Sequence, residues 1–413
     1  MTLRVVELFS GIGAQRMALT LAGITHEVVA IAEINKHSLA SYRAIYGDCP
    51  NLGDISKVER LPPCDLVTYS FPCQDLSVAG KRAGMGEGTR SGLVWEVVRL
   101  LESAGERERP EWLLMENVRQ VLTAPEWPSL VGRLEAMGYR NRWAKLDSSD
   151  FGSAQKRVRA FMVSRMGQDP PELPLSAPNA PRLCLRDVME PERAERYVRR
   201  IPLDRVMWRT PKAGPGESTP TASIDGETFY SKAMLYSSSS SPTVRTEHGK
   251  NSQIKVVADW DKETLREENR RLYDMDGASP TVKAHMAKDG QGRIKILADW
   301  QRKGRIEQAN RLYSANCACP TMVGMGGGNR DVKIVDQEDG DDLVVSILTP
   351  RECWRLMGFP EWAYLRASRV SSETQLYNQA GNSIVVEVLI AIFNAMFRPQ
   401  KYVVQKRITE AVA

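Results

Sequence analysis

Four side chains of types that can share one reaction occur in order within the first 160 residues: a thiol, Cys73, a carboxyl, Glu116, and two guanidinium groups, Arg157 and Arg159. A cysteine thiolate is a strong nucleophile, a carboxylic acid absorbs charge that develops on an acceptor, and guanidinium groups favour an ionised thiol beside them. Nucleophile, acid and cation are the parts of a covalent addition. Each has a bland reading as well. A free cysteine is commonly a small buried hydrophobe, Glu116 reads as a surface-loop carboxylate, and the arginines as a solvated strand edge. Singly those readings are the commoner ones, but they do not account for the ordered set.

Apolar spacing says how these groups would be held. Strand-like runs at 3–9, 27–32, 65–70, 111–115, 139–146 and 158–164 alternate with helical stretches at 14–22, 35–46, 93–102 and 127–137. That is the pattern of an α/β fold with a doubly wound, mostly parallel sheet. Pro72 cannot donate to a ladder, so the strand before it stops and Cys73 falls at its carboxyl end, the edge where open α/β sheets bind ligands. Glu116 follows the strand 111–115, and Gln155-Lys156-Arg157-Val158-Arg159 opens a later one. The two-residue period of a strand puts Gln155, Arg157 and Arg159 on one face.

The first strand runs into Phe9-Ser10-Gly11-Ile12-Gly13-Ala14, a glycine loop that opens a helix with free N–H groups. Twenty residues after Gly13, Glu33 ends the second strand, where an acid binds ribose hydroxyls. The dinucleotide fingerprint needs a third glycine where this chain has Arg16. A pyrophosphate is disfavoured, and an adenosine without phosphates, as in S-adenosylmethionine, fits better.

The remaining sequence bounds the setting. The chain has 413 residues, 42% hydrophobic and 26% charged, an ordinary globular composition with length for two or three domains. Seven cysteines without CxxC spacing support neither a disulfide framework nor a zinc knuckle, which points to a reducing compartment and no metal. Arg4 and Glu7 inside the first strand leave no apolar core for a signal peptide, and the run 384–397, interrupted by Glu387 and Asn394, is short for a membrane span. The expectation is a cytoplasmic protein that does not enter a membrane.

A Pro-rich connector at 169–181 ends the regular alternation. Beyond it, Leu235-Tyr236, Leu272-Tyr273 and Leu312-Tyr313 are each followed by a Pro-Thr pair, at Pro242, Pro280 and Pro320. Residues 230–333 carry 18 Lys+Arg against 12 Asp+Glu, an excess of +6 that outweighs the net +5 of the whole chain. A basic segment suits a polyanion. The expected domains are a catalytic part, 1–185, an inserted smaller domain, 186–345, with three internal repeats at 235–335, and a C-terminal return, 346–413. In the return, Thr349-Pro350-Arg351-Glu352 is a capping box, and 384–397 is a buried helix that packs back on the first sheet.

The motifs FSGIG at 9–13, FPCQ at 71–74, ENV at 116–118, QKRVR at 155–159 and QAGNS at 379–383, in this order, resemble those of the DNA (cytosine-5) methyltransferases of bacteria and phages. The resemblance covers residues 1 to about 165 and 346–397. It implies methyl transfer from S-adenosylmethionine to C5 of a flipped-out cytosine in double-stranded DNA, through an adduct of Cys73 with C6. It implies Glu116 and Arg159 as contacts to the target base and Arg157 as a supporting contact. Phe9, Gly11, Gly13, Glu33, Ile34, Asp54, Ile55, Leu93, Asn382 and Ser383 would surround the cofactor, and Phe71, Pro72, Gln74 and Gln155 would border the substrate. Two positions depart from the pattern: Ile34 stands where an aromatic often stacks on adenine, and Ser70 replaces a frequent glycine before Phe71.

Elementary chemistry supports those roles. C5 of cytosine is too poor a nucleophile to take a methyl group until a thiolate has added at C6 and an acid near N3 has absorbed the charge. Neither atom is reachable in a stacked duplex, so the base must leave the helix. The Gly-rich stretch 77–91, with Lys81, Arg82 and Arg90, has the composition of a loop that closes over DNA. The long insert argues for readout in a duplex groove, with Arg245, Lys283 and Arg330 as candidate contacts, over the tRNA on which one branch of the resembling fold acts. A catalytically silent DNA-binding protein is disfavoured by the intact set of Cys73, Glu116 and both arginines, and a nicotinamide oxidoreductase by the missing glycine. The expected partners are DNA and a cognate restriction endonuclease acting separately, the protein itself being a monomer.

Overall fold

The computed structural model describes residues 2–73, 85, 86, 89, 91–181, 183–192, 194–202, 206–208, 296–300, 311–314, 319–322, 333–339 and 342–398. They fall within two compact units: Met1–Leu183 with Pro320–Gly327 and Thr349–Ala413, and Cys184–Cys319 with Gly328–Leu348. Arg245, Lys283, Arg330, Gln74, Lys81, Arg82 and Arg90 lie outside the described residues, as do most of the internal repeats.

The first unit is built on a six-stranded sheet in the order β2-β1-β3-β4-β6-β5. β1 (Leu3–Leu8) lies parallel to β2 (His26–Ala32) and to β3 (Leu66–Tyr69), and β3 lies parallel to β4 (Trp112–Val118). β6 (Val158–Met166) runs antiparallel to both β4 and the edge strand β5 (Tyr139–Asp147). All six expected strands form, but the sheet is mixed. The reason is the short link between the last two: a parallel pair needs a crossover of a dozen or more residues, usually a helix, whereas residues 148–157 turn the chain straight back. Helices α1 (Ala14–Leu21), α2 (Lys36–Tyr46), α3 (Val94–Ser103) and α4 (Trp127–Ala136) alternate with the other strands. Every residue of β3 and β4 is buried, as expected of strands covered on both faces.

After the four-residue α5 (Leu185–Val188) comes the second unit's sheet, β7 (Val198–Pro202), β12 (Asp342–Ile347), β11 (Lys333–Asp339), β10 (Arg311–Ser314), β9 (Ile296–Trp300) and β8 (Val206–Trp208), in that spatial order. Ala298-Asp299-Trp300, after the second Pro-Thr pair, lies in β9, and Leu312-Tyr313 of the third repeat lies in β10, its antiparallel neighbour.

The C-terminal return adds α6 (Pro350–Leu356), α7 (Glu361–Ser368), α8 (Glu373–Asn382) and α9 (Val386–Phe397) to the first unit. Thr349 Oγ1 accepts from Glu352 N at 3.2 Å while Thr349 N donates to Glu352 Oε2 at 2.8 Å, so the capping box closes. The closing helix starts at Val386 rather than at Ile384, because Ser383–Val385 turn the chain between α8 and α9. α9 is buried on most of its faces and packs on α1.

One group in this packing is at odds with its surroundings. Glu387, in the first turn of α9, lies against Gly358, which follows α6 in the left-handed region (φ 77°), and a Cβ there would run into the carboxylate. Glu387 Oε2 is enclosed without a hydrogen-bond partner, and burial pushes its pKa up to about 7. A carboxyl with a raised folded pKa is stabilising while protonated; that stability is lost as pH rises from the unfolded value through about 7. Glu387→Gln is therefore expected to leave the Tm near its parent value at pH 4 and to raise it at pH 8, where the gain in stability reaches up to ~1–3 kcal/mol for this half-buried group. Calorimetric scans at the two pH values check this; equal Tm at pH 8 would mean that the carboxylate is solvated.

Candidate active site

Two clusters meet at the carboxyl ends of the parallel strands. The first surrounds the glycine loop between β1 and α1. Phe9 has φ 57°, the only non-glycine residue in the left-handed region among those described, and a bulky side chain holds that conformation at a cost of about 1–3 kcal/mol. The loop is strapped in place. Gly11 N donates to Glu33 Oε2 at 2.8 Å and Asn35 N to Glu33 Oε1 at 2.6 Å, while Asn51 bonds both the N–H and the carbonyl of Glu33. Burial raises the Glu33 pKa and these N–H donors oppose the shift.

Gly13 is required by geometry as well as by φ 76°, since a Cβ would lie 2.6 Å from Tyr46 Cε2 and 2.7 Å from Tyr42 Cε2. Tyr46 Oη donates to Gly13 O at 2.7 Å. Arg16, the residue that breaks the dinucleotide pattern, is part of the same packing: its N–H donates to Glu7 Oε1, its Nη1 donates to Tyr42 Oη, and Tyr42 Oη donates to Glu7 Oε2 at 2.6 Å. Burial raises the Glu7 pKa to about 7 against those donors.

The surroundings fit an adenosine. No described atom lies within 4 Å of a Cβ built on Gly11, so the space over the loop is open. Ser10 Oγ and Ser383 Oγ are buried without partners, and Ile34, next to Glu33, is a bare apolar side chain, 76% exposed. Asp54 Oδ1 accepts from Ser56 N and Oγ and so caps the short turn Ile55–Lys57. Ile55 packs in the core, and Leu93 lies partly buried against it, as Cys73 does. Asn382 ends α8 on the surface.

The second cluster holds the chemistry. β3 ends at Tyr69, and the chain continues through buried Phe71 to half-buried Cys73. β4 runs on through Val118, so Glu116 and Asn117 are strand residues and not, as expected, the start of a loop. Their ladder is with β6, which pairs Glu116 with Phe161. Asn117 Nδ2 donates to Phe71 O at 2.9 Å and Ser91 Oγ to Pro72 O at 2.8 Å, which fixes the backbone leading to Cys73. Neither tie was evident in the sequence, although Asn117 lies within ENV. Arg159 Nε stands 3.3 Å from Glu116 Oε1, with the two side chains only 16% and 10% exposed.

Gln155, Arg157 and Arg159 do not share a strand face, because β6 begins at Val158. Gln155 is fully buried, and both polar atoms of its amide lack partners. Arg157 precedes the strand, and its guanidinium is spent on backbone: Nη1 donates to Met322 O at 3.0 Å, and Nη2 to Gly381 O at 3.0 Å and Ser383 O at 2.9 Å. It ties the QAGNS segment to the root of β6. Burial lowers its pKa to about 9, which leaves it charged at neutral pH.

The electrostatics correct one expectation. Cys73 was expected to be favoured as a thiolate by the arginines. Its pKa is raised instead, first by burial and then by Glu116, with Arg159 and Arg157 opposing. The resting nucleophile is a thiol because burial disfavours its charged form and Glu116 adds to that, while Arg157 is engaged with backbone carbonyls. Glu116 is itself raised by burial, against Arg159, Arg157 and a hydrogen bond from Ser70. Protonating Glu116 removes the largest charge that disfavours the Cys73 thiolate.

The family model for C-5 cytosine-specific DNA methylases matches residues 3–398. Among relatives, the type II methyltransferase M2.ScrFI of Lactococcus lactis subsp. cremoris is 26% identical over 96% of this chain and 100% of its own length. The orphan methyltransferase M.SssI of Spiroplasma monobiae is 32% identical over 40% of this chain and 60% of its own. In fold, the chain is similar to the Dnmt2 methyltransferase of S. pombe (TM-score 0.57, 18% identity, 97% of this chain and 99% of that one). It is also similar to the Entamoeba histolytica methyltransferase EhMeth (TM-score 0.61, 13% identity, 97% and 99%).

The charge coupling gives a direct test. Without DNA, Cys73 is expected to react with iodoacetamide at pH 7.5 more slowly than a free thiol, and Glu116→Gln is expected to speed it severalfold by removing the neighbouring negative charge. Peptide mass spectrometry resolves Cys73 from the other cysteines. Equal rates in the two proteins would separate the thiol from Glu116.

Proposed function

The chain belongs to the C-5 cytosine-specific DNA methylases and transfers a methyl group from S-adenosylmethionine to C5 of cytosine in DNA; we propose that Cys73, Glu116 and Arg159 carry out the chemistry, on a cytosine flipped out of double-stranded DNA. The observation that carries this reading is the buried pair of Arg159 and Glu116, 3.3 Å apart, acting electrostatically on the one thiol at the end of β3.

The steps follow from the residues. The Cys73 thiol gives up its proton to solvent, the thiolate forms a bond to C6, and the electron pair displaced from the C5–C6 bond moves through the ring toward N3. Glu116, whose pKa burial raises, takes up a proton as the base arrives and shares it with N3, and Arg159 holds the carboxyl in line. C5 is now electron-rich. S-adenosylmethionine, when bound, supplies the electrophilic methyl group that C5 takes. Loss of the C5 proton to a base then restores the double bond and expels the Cys73 sulfur, while Glu116 recovers its proton from N3. The glycine loop with Glu33 and Ile34, together with Asp54, Ile55, Leu93, Asn382 and Ser383, would hold the adenosine. Phe71, Pro72 and Gln155 would border the base, as would Gln74 of the same FPCQ motif, which lies outside the described residues. Arg157 acts at one remove by fixing the segment at Ser383 to the strand that carries Arg159.

Target recognition falls in this reading to residues 186–345, which lie outside the catalytic motifs and include the basic stretch 230–333. The enzyme would act as a monomer in the cytoplasm, as a modification methyltransferase beside a separately acting endonuclease.

DNA containing 5-fluorocytosine is expected to trap the wild type in a denaturation-resistant adduct, since fluorine cannot leave as a proton does. Cys73→Ala should give no adduct on a denaturing gel; one that still trapped would move the nucleophile elsewhere. For recognition, replacing Lys283 and His285 by Ala should change the target pattern mapped by bisulfite sequencing, because a good base contact discriminates by about 1–3 kcal/mol. If methylation instead slows evenly at all sites with a shallower salt dependence, those residues meet phosphate and carry no specificity.

A further inference from the structure

Glu116 is met by a hydroxyl as well as by Arg159. Ser70, the residue after β3, continues the register that pairs Tyr69 with Met115 and so stands opposite Glu116, where its hydroxyl opposes the rise in the Glu116 pKa. Its Oγ also accepts from Gln15 Nε2 at 3.2 Å. Gln15 is the second residue of α1, only 3% exposed, and two residues past Gly13, so the glycine loop that positions the cofactor side also positions this amide.

The direction of the chain follows from donor counting. An amide nitrogen only donates, so Gln15 Nε2 occupies a lone pair of Ser70 Oγ. The hydroxyl has one proton, and with α1 contributing a donor that proton is turned toward Glu116. A carboxyl oxygen that accepts from Ser70 or from Arg159 Nε is not the one that carries the acid proton. The frequent glycine at this position of the motif has no hydroxyl to offer. We propose that Gln15 and Ser70 form a positioning relay, in which the amide fixes Ser70 as a donor to Glu116 and so aligns the catalytic carboxyl from the cofactor loop. The relay rests on the reading of Glu116 as the acid that meets the base.

The test uses the full chain with unmethylated duplex DNA, reading single-turnover methyl transfer across pH and S-adenosylmethionine affinity by calorimetry. Ser70→Ala is expected to slow transfer roughly tenfold, as loss of one hydrogen bond to an ionisable group does, with cofactor affinity changed less than about twofold. Because the lost bond favours the carboxylate, the alkaline limb of the pH profile should move to higher pH. Ser70→Thr keeps a hydroxyl and should recover most of the rate. Gln15→Glu is nearly isosteric but accepts where glutamine donates, so it should draw the Ser70 proton toward α1 and slow transfer in the wild-type background. In Ser70→Ala it should add little, because the two changes break one chain. A Ser70→Ala protein with wild-type rate and pH profile overturns the relay, as does independent multiplication of the Gln15→Glu and Ser70→Ala effects. Should Ser70→Ala fold poorly by circular dichroism, the Thr and Gln15→Glu proteins carry the same test. Glu116→Gln in the same assay separates the two levels: full rate there would remove Glu116 as the acid, whereas a slow Glu116→Gln beside unaffected Ser70 variants would remove only the relay.

Discussion

Burial of one carboxyl, Glu116, inside a central strand is the constraint to which the catalytic end of the fold answers. An ionised carboxylate in a dry sheet is costly unless it is paired, and the available answers are to protonate it or to bring cations and donors to it. Its pKa is raised, and Arg159 and Ser70 approach from opposite sides of β4. The reversed direction of β6 makes the first approach possible. In the antiparallel ladder Glu116 faces Phe161 and Val118 faces Arg159, which puts Arg159 on the diagonal from Glu116, within reach of a long side chain. The mixed sheet is thus a condition for the ion pair.

The C-terminal return completes the site by closing the chain on itself. Arg157 gathers the carbonyls of Gly381 and Ser383, and Gln379 donates to His37 O while its Oε1 accepts from Ser41 Oγ. One short stretch, 379–383, is therefore bonded both to α2 on the cofactor side and to the root of β6 on the base side. Removing Arg157 would leave those carbonyls unpaired as well as lose a charge. Its position in QKRVR reflects this clamp more than contact with a base.

Much of this was legible in the sequence because it depends on local spacing. Six strands, four helices and the capping box at Thr349 follow from apolar period, Pro72 and cap chemistry. What escaped depends on contacts between distant segments. No periodicity distinguishes a parallel β6 from an antiparallel one, and the length of the β5–β6 link was the one available clue. Likewise no spacing tells which carbonyls Arg157 will find, or that the strand before ENV continues through it. Arg16 was legible only as the absence of a glycine. The structure shows the positive side, a guanidinium against two tyrosine rings that fill the room a larger residue at Gly13 would need. Ser70 stood out as a departure from the usual motif, and its partners, Gln15 and Glu116, are 55 and 46 residues away in sequence.

The raised pKa of Cys73 gives the site a resting state with a chemical logic. A thiol is a weak nucleophile and resists oxidation, so the enzyme without substrate does not expose a reactive sulfur. The negative neighbour that reinforces burial in keeping the thiol protonated is the group that must be protonated when the base arrives. Thiolate formation and protonation at Glu116 favour each other, since each relieves the repulsion that opposes the other. A base that brings an acceptor to Glu116 thereby also favours the ionisation of Cys73, and nucleophile and acid come into working form together.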